Sequence, residues 1–116
     1  MISTNVEFYD NCVVLRKEGC KLPIIVMRIG YLVVIATPNF DGMKVPLINL
    51  VKDCGTEGDA YEKEMYLVGK MCKKSPDSKY FNGAKKEHHF TNGDRVSEDT
   101  QKFILKRVAM FWEGLK

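Results

Sequence analysis

Leu22-Pro23-Ile24-Ile25-Val26-Met27-Arg28-Ile29-Gly30-Tyr31-Leu32-Val33-Val34-Ile35-Ala36-Thr37 is the longest apolar run in the chain, broken only at Arg28-Ile29-Gly30. Ile24, Ile25, Val26, Ile29, Val33, Val34 and Ile35 are β-branched, which favours a pleated conformation, and Gly30 lets the chain turn where a Cβ would clash. The run therefore reads as two strands, 22–27 and 31–37, joined by a turn that exposes Arg28. A single strand bent at Gly30 is the rival reading. Ile24 to Met27 and Tyr31 to Ala36 are apolar at successive positions, so both faces of this sheet need cover.

A membrane-spanning helix needs about 20 continuous apolar residues, and a central charge costs about 2.5 to 3.5 kcal/mol on insertion scales. This run is shorter and carries Arg28 near its middle. The opening Met1-Ile2-Ser3-Thr4-Asn5-Val6-Glu7 has no basic region, and no small-residue cleavage site follows the apolar block, so no secretory signal is read. The expectation is a cytosolic protein that does not enter a membrane.

Working outward, Val6 to Tyr9 and Cys12 to Lys17 flank Asp10-Asn11, residues that tolerate positive φ, and form a first hairpin. Pro38-Asn39-Phe40-Asp41-Gly42 is a dense turn signal. In the following Met43 to Val51, Pro46 fits an edge strand or the first turn of a short helix. The period then changes. Tyr61, Met65, Val68 and Cys72 recur at helical spacing after a capping-box-like Asp59-Ala60-Tyr61-Glu62, giving a helix over 59–74 halted before Pro76.

Ser97 caps a second helix over 98–115, with Glu98 and Asp99 in its first turn and a stripe of Ile104, Val108, Phe111 and Leu115. Asn82-Gly83 and Asn92-Gly93 allow one more small hairpin between the helices. The fold class is α+β: one domain over 1–116, with an antiparallel sheet of four to six strands, an N-terminal meander, and two helices. Two helices about 10 Å across, laid side by side, cover about one face of a five-stranded sheet. Either they take opposite faces, or the bare face meets another chain.

The 116 residues carry 18 Lys and Arg against 15 Asp and Glu. Residues 1–69 hold seven basic against nine acidic groups, and 70–116 hold eleven against six. The basic character belongs to the second half. Cys12, Cys20, Cys54 and Cys72 show no paired spacing and read as reduced thiols.

Three sets of residues invite a function. Phe103 and Met110 lie seven apart on the side of the second helix away from its stripe, with Arg107 close by, which suits a protein interface or self-association. Lys70, Lys73, Lys74, Lys79, Lys85 and Lys86 interleave with Tyr80, Phe81, His88, His89 and Phe90 over 70–90, a mixture suited to a nucleotide or nucleic acid, because phosphates seek cations and bases stack on rings. A hydrolytic centre would use His88 or His89 with Glu64.

Asp53 to Glu64 has acids at EF-hand-like places, but Gly55 and Ala60 depart from that motif, and a loop capping the next helix explains the same acids. Adjacent histidines and the absence of Cys-x-x-Cys give no zinc signature, although the four distant cysteines could still converge. No cofactor and no metal are expected. The reading is a small non-enzymatic binding protein of inhibitor, immunity or adaptor type with a protein partner, self-associating; nucleic-acid binding through 70–90 and hydrolysis are the alternatives.

Overall fold

The computed structural model describes residues 4–20, 22–38, 46–74 and 93–115. The opening run forms β3 (Ile24–Ile29) and β4 (Leu32–Thr37), turning at Gly30-Tyr31, where Gly30 has φ +61°. β1 (Thr4–Tyr9) and β2 (Cys12–Lys17) precede them, and β5 (Leu47–Asp53) follows. All neighbours are antiparallel, in the order β1-β2-β3-β4-β5. Helix α1 (Glu57–Cys72) and helix α2 (Glu98–Leu115) complete the α+β architecture expected from the sequence.

The covering question has a clear answer: the helices take opposite faces. Ile25, Met27, Val34 and Ala36 form one core with Ile104 and Val108 of α2. Ile24, Val26, Val33 and Ile35, on the other face, form a second core with Leu67, Val68 and Met71 of α1. The double-sided apolarity of the run is thus satisfied within the chain. Both faces of β3 and β4 are covered by the chain's own helices, so the run itself gives no argument for a partner.

β5 keeps this two-sidedness through a bulge. Ile35 pairs with Leu50 and Ala36 with Ile48, so Asn49 is an extra residue, and Ile48 and Val51 reach the same core despite their odd spacing. Buried Asn49 donates from Nδ2 to Thr37 Oγ1 at 3.3 Å. Pro46 stands just before the strand, where no ladder hydrogen bond is lost.

Local boundaries differ from the sequence reading for identifiable reasons. Thr56, not the 59–62 segment, caps α1: its Oγ1 accepts from the Asp59 N–H at 3.1 Å, while Asp53 Oδ1 accepts from the Gly55 N–H at 3.0 Å. Of the acids in the EF-hand-like stretch, the Asp53 carboxylate is thereby spent on loop geometry, and Glu57 and Asp59 stand in the first turn of α1. The buried arc of α1 is Ala60, Glu64, Leu67, Val68 and Met71, so Tyr61 is exposed rather than part of the stripe. At the other end of α1, Lys17 Nζ donates to the Cys72 carbonyl and to Thr4 Oγ1, each at 2.9 Å. In α2 the expected Ser97 cap is present, accepting from the Thr100 N–H at 3.1 Å. The small hairpin expected between the helices lies outside the described residues, apart from Gly93.

Gly93 forms a parallel bridge with Val51, and the following Asp94 N–H donates to the Val51 carbonyl at 2.7 Å. Its φ is +89°, and an added Cβ would overlap the Val51 carbonyl oxygen. Gly93→Ala is therefore expected to cost about 1 to 3 kcal/mol, because backbone must move and a left-handed conformation must be held by a residue with a Cβ. Urea denaturation checks this; an unchanged midpoint would show that the contact on β5 is dispensable.

Candidate functional site

Helix α1 packs on β2, β3 and β4, leaving the α1-facing side chains of β5 beside it rather than beneath it. A groove results between α1 and β5. Ile35, Leu50, Leu67 and Met71 supply its apolar lining, and Lys52, Lys63, Tyr66 and Lys70 its polar lining, around a volume of about 250 Å³. A more open depression of about 420 Å³ shares Lys52, Lys63 and Tyr66 and adds Cys54, Asp59 and Glu62.

The helix repeat explains the arrangement. Residues 63, 66, 67 and 70 are spaced by three and four, so one flank of α1 presents Lys63, Tyr66 and Lys70 together while Leu67 turns under. Lys52 comes from β5, where the bulge has set Leu50 and Lys52 on the α1 side. Tyr66 is 60% exposed, and Lys63 Nζ sits 5.1 Å from its ring centroid. Lys52 Nζ also stands 3.8 Å from Asp94 Oδ1. The groove thus gathers three cations and one open aromatic ring over an aliphatic floor. Charge falls away towards Asp59 and Glu62, giving the groove a basic end and a mixed end.

The basic stretch singled out in the sequence divides accordingly. Lys70 belongs to the groove. Lys73 caps the end of α1, with its N–H donating to the Lys70 carbonyl at 3.2 Å, and Lys74 follows it; neither lines the groove. Lys79, Tyr80, Phe81, Lys85, Lys86, His88 and His89 lie outside the described residues. Lys52, Lys63 and Tyr66 were missed. The Lys63, Tyr66, Lys70 spacing was visible as a helical flank, but Lys52 joins only through the β4–β5 pairing.

Glu64, considered as a partner of His88 or His89, is placed without them, since both histidines lie outside the described residues. It is 2% exposed, lies outside the groove lining, and accepts from Arg28 Nε through Oε1 at 2.9 Å. Arg28 is accordingly not displayed by its turn. Its Nη2 donates to the Asp10 carbonyl at 2.9 Å, and its guanidinium carbon sits 5.1 Å from the Tyr61 ring centroid. The pair fastens α1 to β3 and to the β1–β2 turn. Burial raises the Glu64 carboxyl above the ordinary range, and Arg28 pulls in the opposite direction. Glu64 Oε2 has no hydrogen-bond partner among the described residues.

Two of the cysteines, Cys12 and Cys54, are unsuited to nucleophilic chemistry. Burial pushes up the thiols of Cys12 and Cys54, which keeps them protonated. All four cysteines are thiols rather than disulfides, and among the described residues no group of three or more His, Cys, Asp or Glu could hold a metal ion. Among the same residues, no helix is long and apolar enough to cross a membrane.

On α2, Phe103 is 47% and Met110 60% exposed, with the Arg107 guanidinium carbon 5.7 Å from the Phe103 centroid. The structure brings these three together on the outer face, as their spacing required. Comparison with known proteins gives no further lead: no family model, curated protein or solved structure matches the chain.

Proposed function

We propose that the protein is a non-catalytic binding protein whose ligand is a single-stranded nucleic acid lying along the groove between α1 and β5. The observation that carries this reading is the convergence of Lys52, Lys63 and Lys70, from two elements, around Tyr66 over an aliphatic floor. Lysines at a groove edge supply sequence-independent phosphate contacts, and an open tyrosine ring offers a base a stacking surface. An acidic peptide is less suited. Strand addition would need the outer edge of β5, yet the Val51 carbonyl and the Asp53 N–H there are already bound by Asp94. Four cysteines held as thiols suit a reducing compartment, in keeping with a cytosolic protein.

The experiment is an anisotropy titration of a labelled ten-nucleotide single strand across a range of salt. Three phosphate contacts give a slope of log K on log salt of about −2, from about −0.7 per contact on a single strand. A salt-insensitive affinity, or no binding at low salt, would overturn the reading.

A second reading keeps a protein partner of inhibitor, immunity or adaptor type on the outer face of α2. It is favoured by the exposure of Phe103 and Met110 beside Arg107, since aromatic residues, Met and Arg are enriched at interfaces.

A further inference from the structure

The two edges of the sheet are treated unequally. β5 is bulged, bridged by Gly93, and bound at the Val51 carbonyl and Asp53 N–H by Asp94. β1 has none of these devices. It pairs with β2 in unbroken register from Thr4 to Tyr9, contains no proline, lysine or arginine, and carries no neighbour on its outer edge among the described residues. Natural sheets blunt an open edge with bulges, prolines, basic side chains or a covering segment.

The strand is also held firmly in place for pairing. Tyr9 packs edge-on against Phe111 of α2 with centroids 5.4 Å apart, and Thr4 accepts from Lys17. Phe8 is 65% exposed, opposite Val13, so it stands on the α1 side of the sheet beyond the cover of α1. An aromatic ring left there gains most from a cross-strand neighbour.

We infer that β1 is the seam of a homodimer, in which β1 pairs antiparallel with β1 of a second copy about a two-fold axis normal to the sheet. The occupant follows from symmetry. An isologous contact requires one surface that complements itself, and an unbulged antiparallel edge with a single charged side chain, Glu7, meets that requirement. Such an axis keeps the α1 sides together, so residues of equal parity face each other.

Charge, polarity and the span of the strand together favour one register, the one that pairs Thr4 to Phe8 with themselves. Centring on Glu7 would oppose two carboxylates, and centring on Phe8 would set Val6 against Asp10. Centring on Val6 sets Val6 against its own copy, Phe8 against Thr4 and Glu7 against Asn5, with no like charges opposed. Because β1 and β5 are opposite edges, the two grooves would lie at the outer ends of one continuous sheet.

Light scattering with size exclusion tests this on the full chain. The wild type is expected at twice the chain mass of 13.3 kDa at micromolar concentration. Phe8→Lys is expected to halve the measured mass, with its circular dichroism unchanged because Phe8 is exposed. Phe103→Asp should leave the dimer intact. Val6→Cys under mild oxidant should give an intermolecular cross-link absent from the wild type and from Asn5→Cys, which reports the register independently. A monomeric wild type would overturn the inference. So would a dimer that survives Phe8→Lys but dissociates with Phe103→Asp or Met110→Asp, since the seam would then be α2. Neither result bears on single-strand binding by the groove.

Discussion

Arg28→Ala is expected to destabilise the protein by about 2 to 4 kcal/mol at neutral pH, the largest single-site effect in the sheet outside the hydrophobic cores. Removing one partner of a buried ion pair leaves the other charged and unpaired, which typically costs about 3 to 5 kcal/mol; Arg28 retains some solvent access, so the figure is reduced. The stranded group is Glu64, buried beneath α1, with Oε2 lacking a partner among the described residues even in the wild type. Replacing both members with apolar residues, Arg28→Met with Glu64→Leu, is expected to restore most of the loss, since neither desolvated charge then remains.

The effect has a pH signature with a definite sign. Burial raises the Glu64 carboxyl in the folded protein above its unfolded value, so the folded state holds the proton to higher pH than the unfolded chain does. Its contribution to stability is therefore fully present below the unfolded value and is lost as pH rises through the raised folded value. Arg28 opposes that rise, and removing it enlarges the shift. The stability deficit of Arg28→Ala should accordingly be smaller at pH 5 than at pH 8, as read from urea midpoints. Equal deficits at the two pH values would show that the interaction acts by packing rather than by charge.

Tyr66→Ala is expected to weaken single-strand binding by about 5- to 150-fold, the range for loss of one base–aromatic stack of about 1 to 3 kcal/mol. Tyr66 is an exposed residue on the flank of α1, so the fold should tolerate the change. The salt slope separates its role from that of the lysines: Tyr66→Ala should leave the slope unaltered, whereas Lys63→Gln or Lys70→Gln should each reduce it by about 0.7. Tyr66→Phe should retain the affinity, because stacking uses the ring and not the hydroxyl. Equal weakening by Tyr66→Phe and Tyr66→Ala would place the contribution in a hydrogen bond instead.

Much of the fold was legible because the deciding signals are local. β-branched runs, the Gly30 turn and the Ser97 cap each act within a few residues, and they gave the meander and α2. Thr56 was harder, since Asp59 and Glu62 offered a competing cap pattern three residues on. Tyr61 was assigned to the buried stripe from spacing alone; Arg28, whose guanidinium carbon stands 5.1 Å from the centroid of the exposed Tyr61 ring, is 33 residues away in sequence.

The site was less legible than the fold. Lysine density drew attention to 70–90, but density does not identify which lysines share a surface. Lys52 meets Lys63 and Lys70 because β4 pairs with β5 and α1 crosses the sheet, and no pattern within either segment encodes that meeting. The partner argument changed as well. The apolar run was two-sided because one helix lies on each face, not because a second protein covers it, and that shifts attention from the faces to the groove and the β1 edge.

Amide chemical-shift mapping with a ten-nucleotide single strand addresses the groove most directly. The nitrogen-15-labelled wild type is expected to show its largest shift changes at residues 50–54 and 63–70, with those changes suppressed at high salt. Shift changes confined to the outer face of α2 around residues 103–110, or none at saturating oligonucleotide and low salt, would contradict nucleic-acid binding by the α1–β5 groove.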